Sequence, residues 1–131
     1  MLFRSTVHVV WPTMIPAPGV DGTPALFHSL SRDGKHFTPR VRMPAQGVPR
    51  HPQVVVDGSG LIAAWDEVAD GVHRIAIARS PITTPGRFTR LLPGNDLGDY
   101  PALAVTAGGP AVVAWAARAQ DRSVVCVRRI Q

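Results

Sequence analysis

A repeat of about 50 residues is the feature that most constrains the fold of this 131-residue chain. The segment HPQVVVDGSGLIAAWDE aligns with the later segment YPALAVTAGGPAVVAWAA. Pro52 and Pro101 are 49 positions apart, and Trp65 and Trp115 are 50 positions apart. The segments FTPRVRMP and FTRLLP repeat in the same way, 51 positions apart. A chain with such a period is expected to build its core by packing similar units against one another.

Each unit contains several short strands. Alternating apolar and polar residues predict β-strands at residues 6–11, 25–31, 53–56, 61–65, 72–78, 88–92, 102–105, 111–115 and 123–130. The sequences DGSG, TPG and AGGP separate them and are strong turn signals. Gly and Pro together make 25 residues, a density of breakers that a helical bundle would not tolerate, and no helix is predicted.

The strand count and the period together predict an all-β chain, a partial β-propeller of antiparallel four-stranded blades. With the strands of a unit called A to D, the chain supplies B-C-D, then A-B-C-D, then A-B-C. This is about 2.5 blades in a single partial domain, one complete blade flanked by two incomplete ones, with segments of approximately 1–46, 47–95 and 96–131. A closed propeller has 4–8 blades. We therefore expect either a segment of a longer propeller or closure with other copies through open blade edges, and the total blade number stays open.

The segment SRDGKHFTP occupies the predicted turn between strands C and D of the first blade. It resembles the Asp-box, or bacterial neuraminidase repeat (BNR), of the sialidase superfamily, whose pattern is Ser-x-Asp-x-Gly-x-x-aromatic. Ser31, Asp33 and Phe37 match this pattern in kind, whereas Gly34 stands one position early and the box is one residue shorter. The second unit keeps only a remnant, Ser80 followed by a longer turn and the sequence GRF.

The chemistry of the box predicts a structural role. A hairpin tip has several backbone N–H groups to satisfy, and the Asp33 carboxylate can accept two or more of them. Gly34 permits a positive φ, and Ser31 closes a second local hydrogen bond. We expect Phe37 to bury its ring against the blade. The resemblance implies that such boxes lie on the face opposite the active site.

Topology assigns the connections to two rims. In antiparallel blades the A–B and C–D turns share one rim, and the B–C and D–A connections share the other. We predict longer, charge-rich loops on the second rim at residues 15–23, 46–51, 66–72, 94–100 and 116–122. Propeller ligands commonly bind at such a rim, so the candidate ligand-binding residues are Arg50, Asp66, Asp99 and Arg118.

The resemblance also implies what a sialidase would need on that rim. Three Arg side chains would hold the substrate carboxylate, a Tyr paired with a Glu would act as nucleophile, and an Asp would act as acid/base. Glu67 and Tyr100 are the catalytic candidates, since the chain has one Glu and one Tyr. The alternatives are a strand-entry role for Tyr100, which takes the place of His51 before Pro, and a solvated loop pair for Asp66 and Glu67.

Two family features of a catalytic domain are not found in the sequence. It lacks the Arg-Ile-Pro motif that opens the family's catalytic domains, and it shows no assembled Arg triad. We therefore expect that the chain alone does not turn over substrate.

Other chemistries find little support. The formal charge of +5 comes from thirteen scattered Arg and one Lys, not from the basic clusters with interleaved aromatics that bind nucleic acid, so no nucleic-acid partner is predicted. The five His residues are isolated and lack metal-ligand spacing, and we predict neither a metal nor another cofactor. Cys126 lies in an apolar alternation and is predicted to be a small buried hydrophobe.

The cell compartment stays open. The sequence MLFRSTVHVVW has no apolar run long enough for a signal peptide, and no stretch is long enough for a transmembrane helix, so no membrane contact is expected. A longer form could be secreted.

Three functional hypotheses follow. The first is a sialidase-like Asp-box propeller segment that binds a glycan, such as a sialoside, or serves as scaffold. The second is an exo-α-sialidase-type glycoside hydrolase completed by further sequence or by another copy. The third is a protein–protein interaction platform that uses an open blade edge.

Overall fold

The computed structural model describes residues 5–91 and 96–131, and these residues form ten β-strands and no helix. The strands are β1 (Val7–Ala17), β2 (Val20–Ser31), β3 (Val41–Arg42), β4 (Val48–Asp57), β5 (Gly60–Ala69), β6 (Val72–Pro81), β7 (Thr89–Arg90), β8 (Asp99–Val105), β9 (Ala111–Ala119) and β10 (Arg122–Ile130). The predicted all-β class is confirmed. The described part of the chain has no helix that could cross a membrane.

The strands form three antiparallel sheets in chain order. The first sheet has the order β1-β2-β3, the second β4-β5-β6-β7 and the third β8-β9-β10. This grouping of three, four and three strands is the one that the repeat predicts. The predicted strand 88–92 is observed as β7, and its residue 92, like residues 94 and 95 of a predicted loop, lies outside the described residues.

The second sheet lies between the other two and buries both of its faces. On one face Ile62 and Ala64 belong to an apolar cluster that includes Trp115 of the third sheet. On the other face Trp65 belongs to a cluster that includes Leu26 of the first sheet. Because successive side chains of a strand point to opposite faces and both faces are covered, every residue of β5 from 60 to 67 is buried, and residues 60–65 are apolar.

The sheets end at two rims. The box rim carries the turn after Ser31 and the two-residue turn between Asp57 and Gly60. The pocket rim, at the opposite end, carries the tips of the hairpins β1–β2, β5–β6 and β9–β10. The chain enters β4 and β8 at this rim. His51 and Tyr100, near the starts of these two strands, lie together there.

Three predicted loops of the pocket rim are hairpins instead, and residues 48–51 of a fourth predicted loop belong to β4. Residues 15–23, 66–72 and 116–122 are hairpins whose strands continue to two-residue turns at 18–19, 70–71 and 120–121. Positive φ angles at Gly19, Asp70, Gly71 and Gln120 make these tight turns. The rim is thus built from regular ladders, which hold their side chains more firmly than loops would.

Candidate functional site

A pocket of about 480 Å³ opens at the pocket rim between the second and third sheets. Its lining includes His73 from β6, Asp99 and Tyr100 from the start of β8, and Arg118 from β9. Three of these four residues are candidates from the sequence, and the fold brings them together. A pocket of this size with a few convergent polar groups is the usual form of a small-molecule site.

Gly98 allows the segment directly before β8 to lie close to β9. A Cβ atom at this position would lie 2.4 Å from both the Ala116 carbonyl oxygen and Trp115 Cδ1. The Trp115 indole in turn donates a hydrogen bond of 3.2 Å to the Leu97 carbonyl. Residues 97 and 98 are therefore packed directly on β9 and form one wall of the pocket.

Asp66 joins the second and third sheets beside this pocket. Its Oδ1 atom accepts hydrogen bonds from His51 Nδ1 at 2.6 Å and from the Tyr100 backbone N–H at 3.2 Å. The Asp66 side chain is fully buried, and its Oδ2 atom has no hydrogen-bond partner among the described residues. The prediction of a solvated pair at Asp66 and Glu67 is therefore wrong for Asp66, because Asp66 points between two packed sheets.

His51 and Tyr100 occupy the same place in successive repeats. Both precede Pro, both have a positive φ (49° and 56°), and both lie at a register shift of their strand. Their rings stack with centroids 4.1 Å apart. Since a positive φ is uncommon for such residues, the shared conformation supports the predicted strand-entry role of Tyr100. Tyr100 is also 61% exposed and lines the pocket.

His73 and Asp99 form a second His–Asp contact on the pocket wall. His73 Nδ1 lies 2.5 Å from Asp99 Oδ1, and the two side chains are 40% and 38% exposed. A carboxylate oxygen can only accept, so Nδ1 is the donor in this contact. Asp66, His73 and Asp99 each offer one metal-ligand atom, and these atoms lie within 4.8 Å of one another.

Glu67 lies on the opposite face of β5 from Asp66. Its Oε2 accepts hydrogen bonds from the Trp65 indole, the Gln46 N–H and Arg90 Nη1, while Oε1 accepts from Arg90 Nη2 at 2.6 Å. The residue is 4% exposed, so the prediction of a solvated loop pair is wrong for Glu67 too. No hydrogen bond among the described residues joins Glu67 to Tyr100, the other catalytic candidate.

The two Arg candidates lie in different surroundings. Arg118 is exposed and lines the pocket, and it has no ion-pair partner within residues 5–91 and 96–131. Arg50 is half-buried in β4, where its Cα pairs with that of Asp66. Arg118 is therefore the candidate whose guanidinium can meet a ligand in the pocket.

The Asp-box residues lie on the other rim and bind one another. Asp33 Oδ1 accepts from the backbone N–H groups of Lys35 and His36, each at 2.8 Å, and from Ser31 Oγ at 3.1 Å. The hydrogen bond from the His36 side chain, together with these backbone N–H groups, holds the pKa of Asp33 well below its usual range. Gly34 has the expected positive φ of 76°, and its N–H donates to Ser31 Oγ.

Phe37 departs from its predicted role in the box. It pairs with Ser31 in an isolated bridge, but its side chain is 49% exposed on the free face of the first sheet and lines a shallow apolar hollow with Trp11. The prediction of a ring buried against the blade is wrong. The shortened box brings the aromatic residue to the ladder, but no neighbouring sheet covers it among the described residues.

The remnant in the second unit repeats the serine contact of the box. Ser80 Oγ accepts from the Gly86 N–H at 2.9 Å, as Ser31 Oγ accepts from the Gly34 N–H at 2.8 Å. On the same rim burial raises the pKa of Asp57, but hydrogen bonds from Ser59 and Arg79 outweigh it and lower the pKa to about 2. The box rim is thus a set of internally satisfied turns.

A pair of histidines lies between the first and second sheets, with His28 buried and His8 half-buried. His8 Nδ1 lies 3.1 Å from His28 Nε2, and the His28 ring contacts the edge of Phe88. Burial, and secondarily the neighbouring His8, lowers the pKa of His28 to about 4, and burial lowers the pKa of His8. The pair is a neutral core contact that leaves no lone pair for a ligand between the rings.

Among the charged and titratable residues that line the pocket, His73 is the one that the sequence did not indicate. It lies 26 positions before Asp99 and seven positions after Asp66, in a different strand from either. The available signal was the Asp70-Gly71 turn, which is typical of a two-residue hairpin. That hairpin would have placed residue 73 opposite residue 68 on the pocket rim.

Comparisons of the chain with protein families, with curated proteins and with solved structures gave no match.

Proposed function

We propose that the chain is a segment of a sialidase-like Asp-box β-propeller that binds an acidic sugar. The observation that carries this proposal is the pocket at the rim opposite the Asp-box, lined by His73, Asp99, Tyr100 and Arg118. The binding step needs no catalytic group, and each of these four side chains has a binding role to offer.

The packing of the sheets supports a propeller. The first strands of the three sheets are neighbours, with β4 beside β1 on one side and β8 on the other. The second sheet packs face to face on both of its partners, as one blade does between two others. Equivalent residues of successive units, His51 and Tyr100, meet at the same rim, which is the relation that rotation about a common axis produces.

The free faces of the outer sheets support the same arrangement. Val125 and Val127 of the third sheet are 75% and 66% exposed, and Val7 and Val9 of the first sheet are 44% and 37% exposed. In a propeller such faces are covered by neighbouring blades. Apolar sheet faces of this kind are uncommon on the surface of a protein that works alone.

The pocket chemistry favours a sugar that carries a carboxylate. The Arg118 guanidinium is exposed and matches the planar geometry of a carboxylate. The exposed Tyr100 ring offers an apolar surface to the C–H face of a pyranose, while His73 and Asp99 offer polar atoms to hydroxyl groups. One monosaccharide fits a pocket of about 480 Å³.

The contacts of Glu67 favour binding over hydrolysis. A sialidase nucleophile needs the Tyr–Glu pair, but the Glu67 carboxylate is buried on the far face of β5 and is bound by Arg90 and the Trp65 indole. Tyr100 instead contacts His51 through its ring and Asp66 through its N–H. The exo-sialidase hypothesis therefore has less support than the binding hypothesis.

Calorimetric titration with the methyl α-glycoside of N-acetylneuraminic acid tests the proposal. Binding should be saturable, absent for methyl β-galactoside, which lacks the carboxylate, and at least about tenfold weaker in Arg118→Ala. Arg87→Ala, which removes an exposed Arg beside the remnant box on the other rim, is the matched control and should bind normally. Equal affinity of Arg118→Ala and wild type would contradict the proposal.

A fluorogenic sialoside assay distinguishes the hydrolase hypothesis from the binding hypothesis. The binding proposal expects no turnover by the chain. Turnover that disappears in Glu67→Gln while the variant stays folded would overturn it.

A further inference from the structure

We propose that Asp66, His73 and Asp99 bind one divalent transition-metal ion beside the pocket. The three residues come from β5, β6 and β8, and their ligand atoms lie within 4.8 Å of one another. The proposal rests on these side chains alone and does not depend on sugar binding.

Asp66 has a buried carboxylate oxygen that no hydrogen-bond donor contacts among the described residues. Its side chain is fully buried, Oδ1 accepts two hydrogen bonds, and Oδ2 has no partner among the described residues. A buried carboxylate oxygen without a hydrogen-bond donor is unfavourable, because burial removes the water that would stabilise its charge. An ion bound by Oδ2 would remove this cost.

The ring of His73 and the carboxylate of Asp99 already face each other. His73 Nδ1 lies 2.5 Å from Asp99 Oδ1. An ion between these two atoms would replace the proton on Nδ1, because metal ligands bind in their deprotonated form. Both side chains are about 40% exposed. They therefore have room for the small rotations that bring ligand atoms to the separation of about 3.4 Å required by metal–ligand bonds of about 2.1 Å.

The donor set selects the class of ion. Ca²⁺ and Mg²⁺ prefer oxygen ligands, whereas one imidazole nitrogen with two carboxylates suits Zn²⁺ and its first-row neighbours. Asp66 and Asp99 form ion pairs only with His51 and His73 among the described residues, so the cluster holds two negative charges when the imidazoles are neutral. Three protein ligands leave one position open toward the pocket.

Calorimetric titration of the metal-free chain with ZnCl₂ at pH 7.5 tests the site. We expect one Zn²⁺ per chain, and a Kd at least about tenfold higher in His73→Gln and in Asp99→Asn. Asp33→Asn is the matched control, because Asp33 and His36 make a similar His–Asp contact at 2.6 Å on the other rim. This control should bind Zn²⁺ as the wild type does.

The visible spectrum of the Co²⁺-loaded chain gives an independent readout. An inner-sphere site with an imidazole ligand should give d–d bands that are lost in His73→Gln and kept in Asp33→Asn. Absence of saturable Zn²⁺ binding would overturn the proposal. So would Zn²⁺ affinity that is unchanged in both His73→Gln and Asp99→Asn, since the ion would then bind elsewhere.

Discussion

The rings of His51 and Tyr100, which hold the same position in successive repeats, stack with their centroids 4.1 Å apart. Asp66 Oδ1 binds both residues, through His51 Nδ1 and the Tyr100 N–H. The contact joins the second and third sheets at the edge of the pocket. The repeat therefore does more than supply similar units, because its equivalent residues hold neighbouring units together.

The stacked rings predict different effects on stability for two substitutions at Tyr100. Tyr100→Ala should lower the free energy of unfolding by about 0.5–1.5 kcal/mol through loss of the aromatic contact. Tyr100→Phe keeps the ring and should leave stability within about 0.5 kcal/mol of wild type. Urea unfolding measures the free energy of unfolding of both variants. The positive φ at residue 100 is common to them, so it does not contribute to the difference. Equal stability of Tyr100→Ala and Tyr100→Phe would show that the stack contributes nothing.

The buried pair of Glu67 and Arg90 predicts a large structural effect. Glu67→Gln should cost about 2–4 kcal/mol, because it leaves the partly buried Arg90 charge without its carboxylate partner. The double variant Glu67→Gln/Arg90→Met should recover a good part of this loss, since both charges are then removed. Denaturant unfolding of the three proteins measures the effect. A double variant that is less stable than Glu67→Gln would contradict the claim that Glu67 and Arg90 stabilise the fold as a pair.

The serine contacts of the box rim predict parallel effects in the two units. Ser31→Ala and Ser80→Ala each remove a buried acceptor from a glycine N–H and should each cost about 1–2 kcal/mol. Neither change should alter ligand binding, because both residues lie on the rim opposite the pocket. Ser5→Ala, at an exposed site, is the control and should change stability by less than about 0.5 kcal/mol. A loss of ligand affinity in either variant, with the fold intact, would indicate that the ligand binds at the box rim. This result would contradict the proposed site.

The His8–His28 pair predicts a dependence of stability on pH. The pKa of His28 is about 4 in the folded chain and about 6.5 when unfolded, so the unfolded state binds more protons between these values. The stabilising contribution is complete above pH 6.5 and is lost as the pH falls toward 4, by roughly 2–3 kcal/mol. His28→Phe should flatten this part of the curve. A wild-type unfolding free energy that is constant from pH 7 to 4.5 would contradict the assignment.

The sequence predicts the strands and their grouping because the repeat carries both. It does not predict the length of the hairpin β1–β2, since Pro12, Pro16 and Pro24 argue against strand in residues 12–24. In the structure β1 is an edge strand, and β2 pairs with β3 only at Phe27 and His28, so these prolines remove few ladder hydrogen bonds. Proline excludes a central strand position but not an edge one.

The burial of Asp66 and Glu67 could not be predicted from their neighbours in the chain. Two adjacent acidic residues after Trp65 are typical of a solvated strand end. Their partners lie far along the chain, with Arg90 binding Glu67 from 23 positions away and Tyr100 binding Asp66 from 34 positions away. Such pairing is fixed by the packing of one sheet on another, which no local pattern contains.

Amide chemical-shift mapping is the most direct test of where the binding pocket lies. Titration of the ¹⁵N-labelled chain with the methyl α-glycoside of N-acetylneuraminic acid should shift the amides of Gly71, His73, Gly98, Tyr100 and Arg118, which line the pocket. Amides of the Asp-box, residues 31–38, should stay unchanged and serve as the internal control. Shifts confined to the box rim, or no saturable shifts, would contradict a ligand site between the second and third sheets.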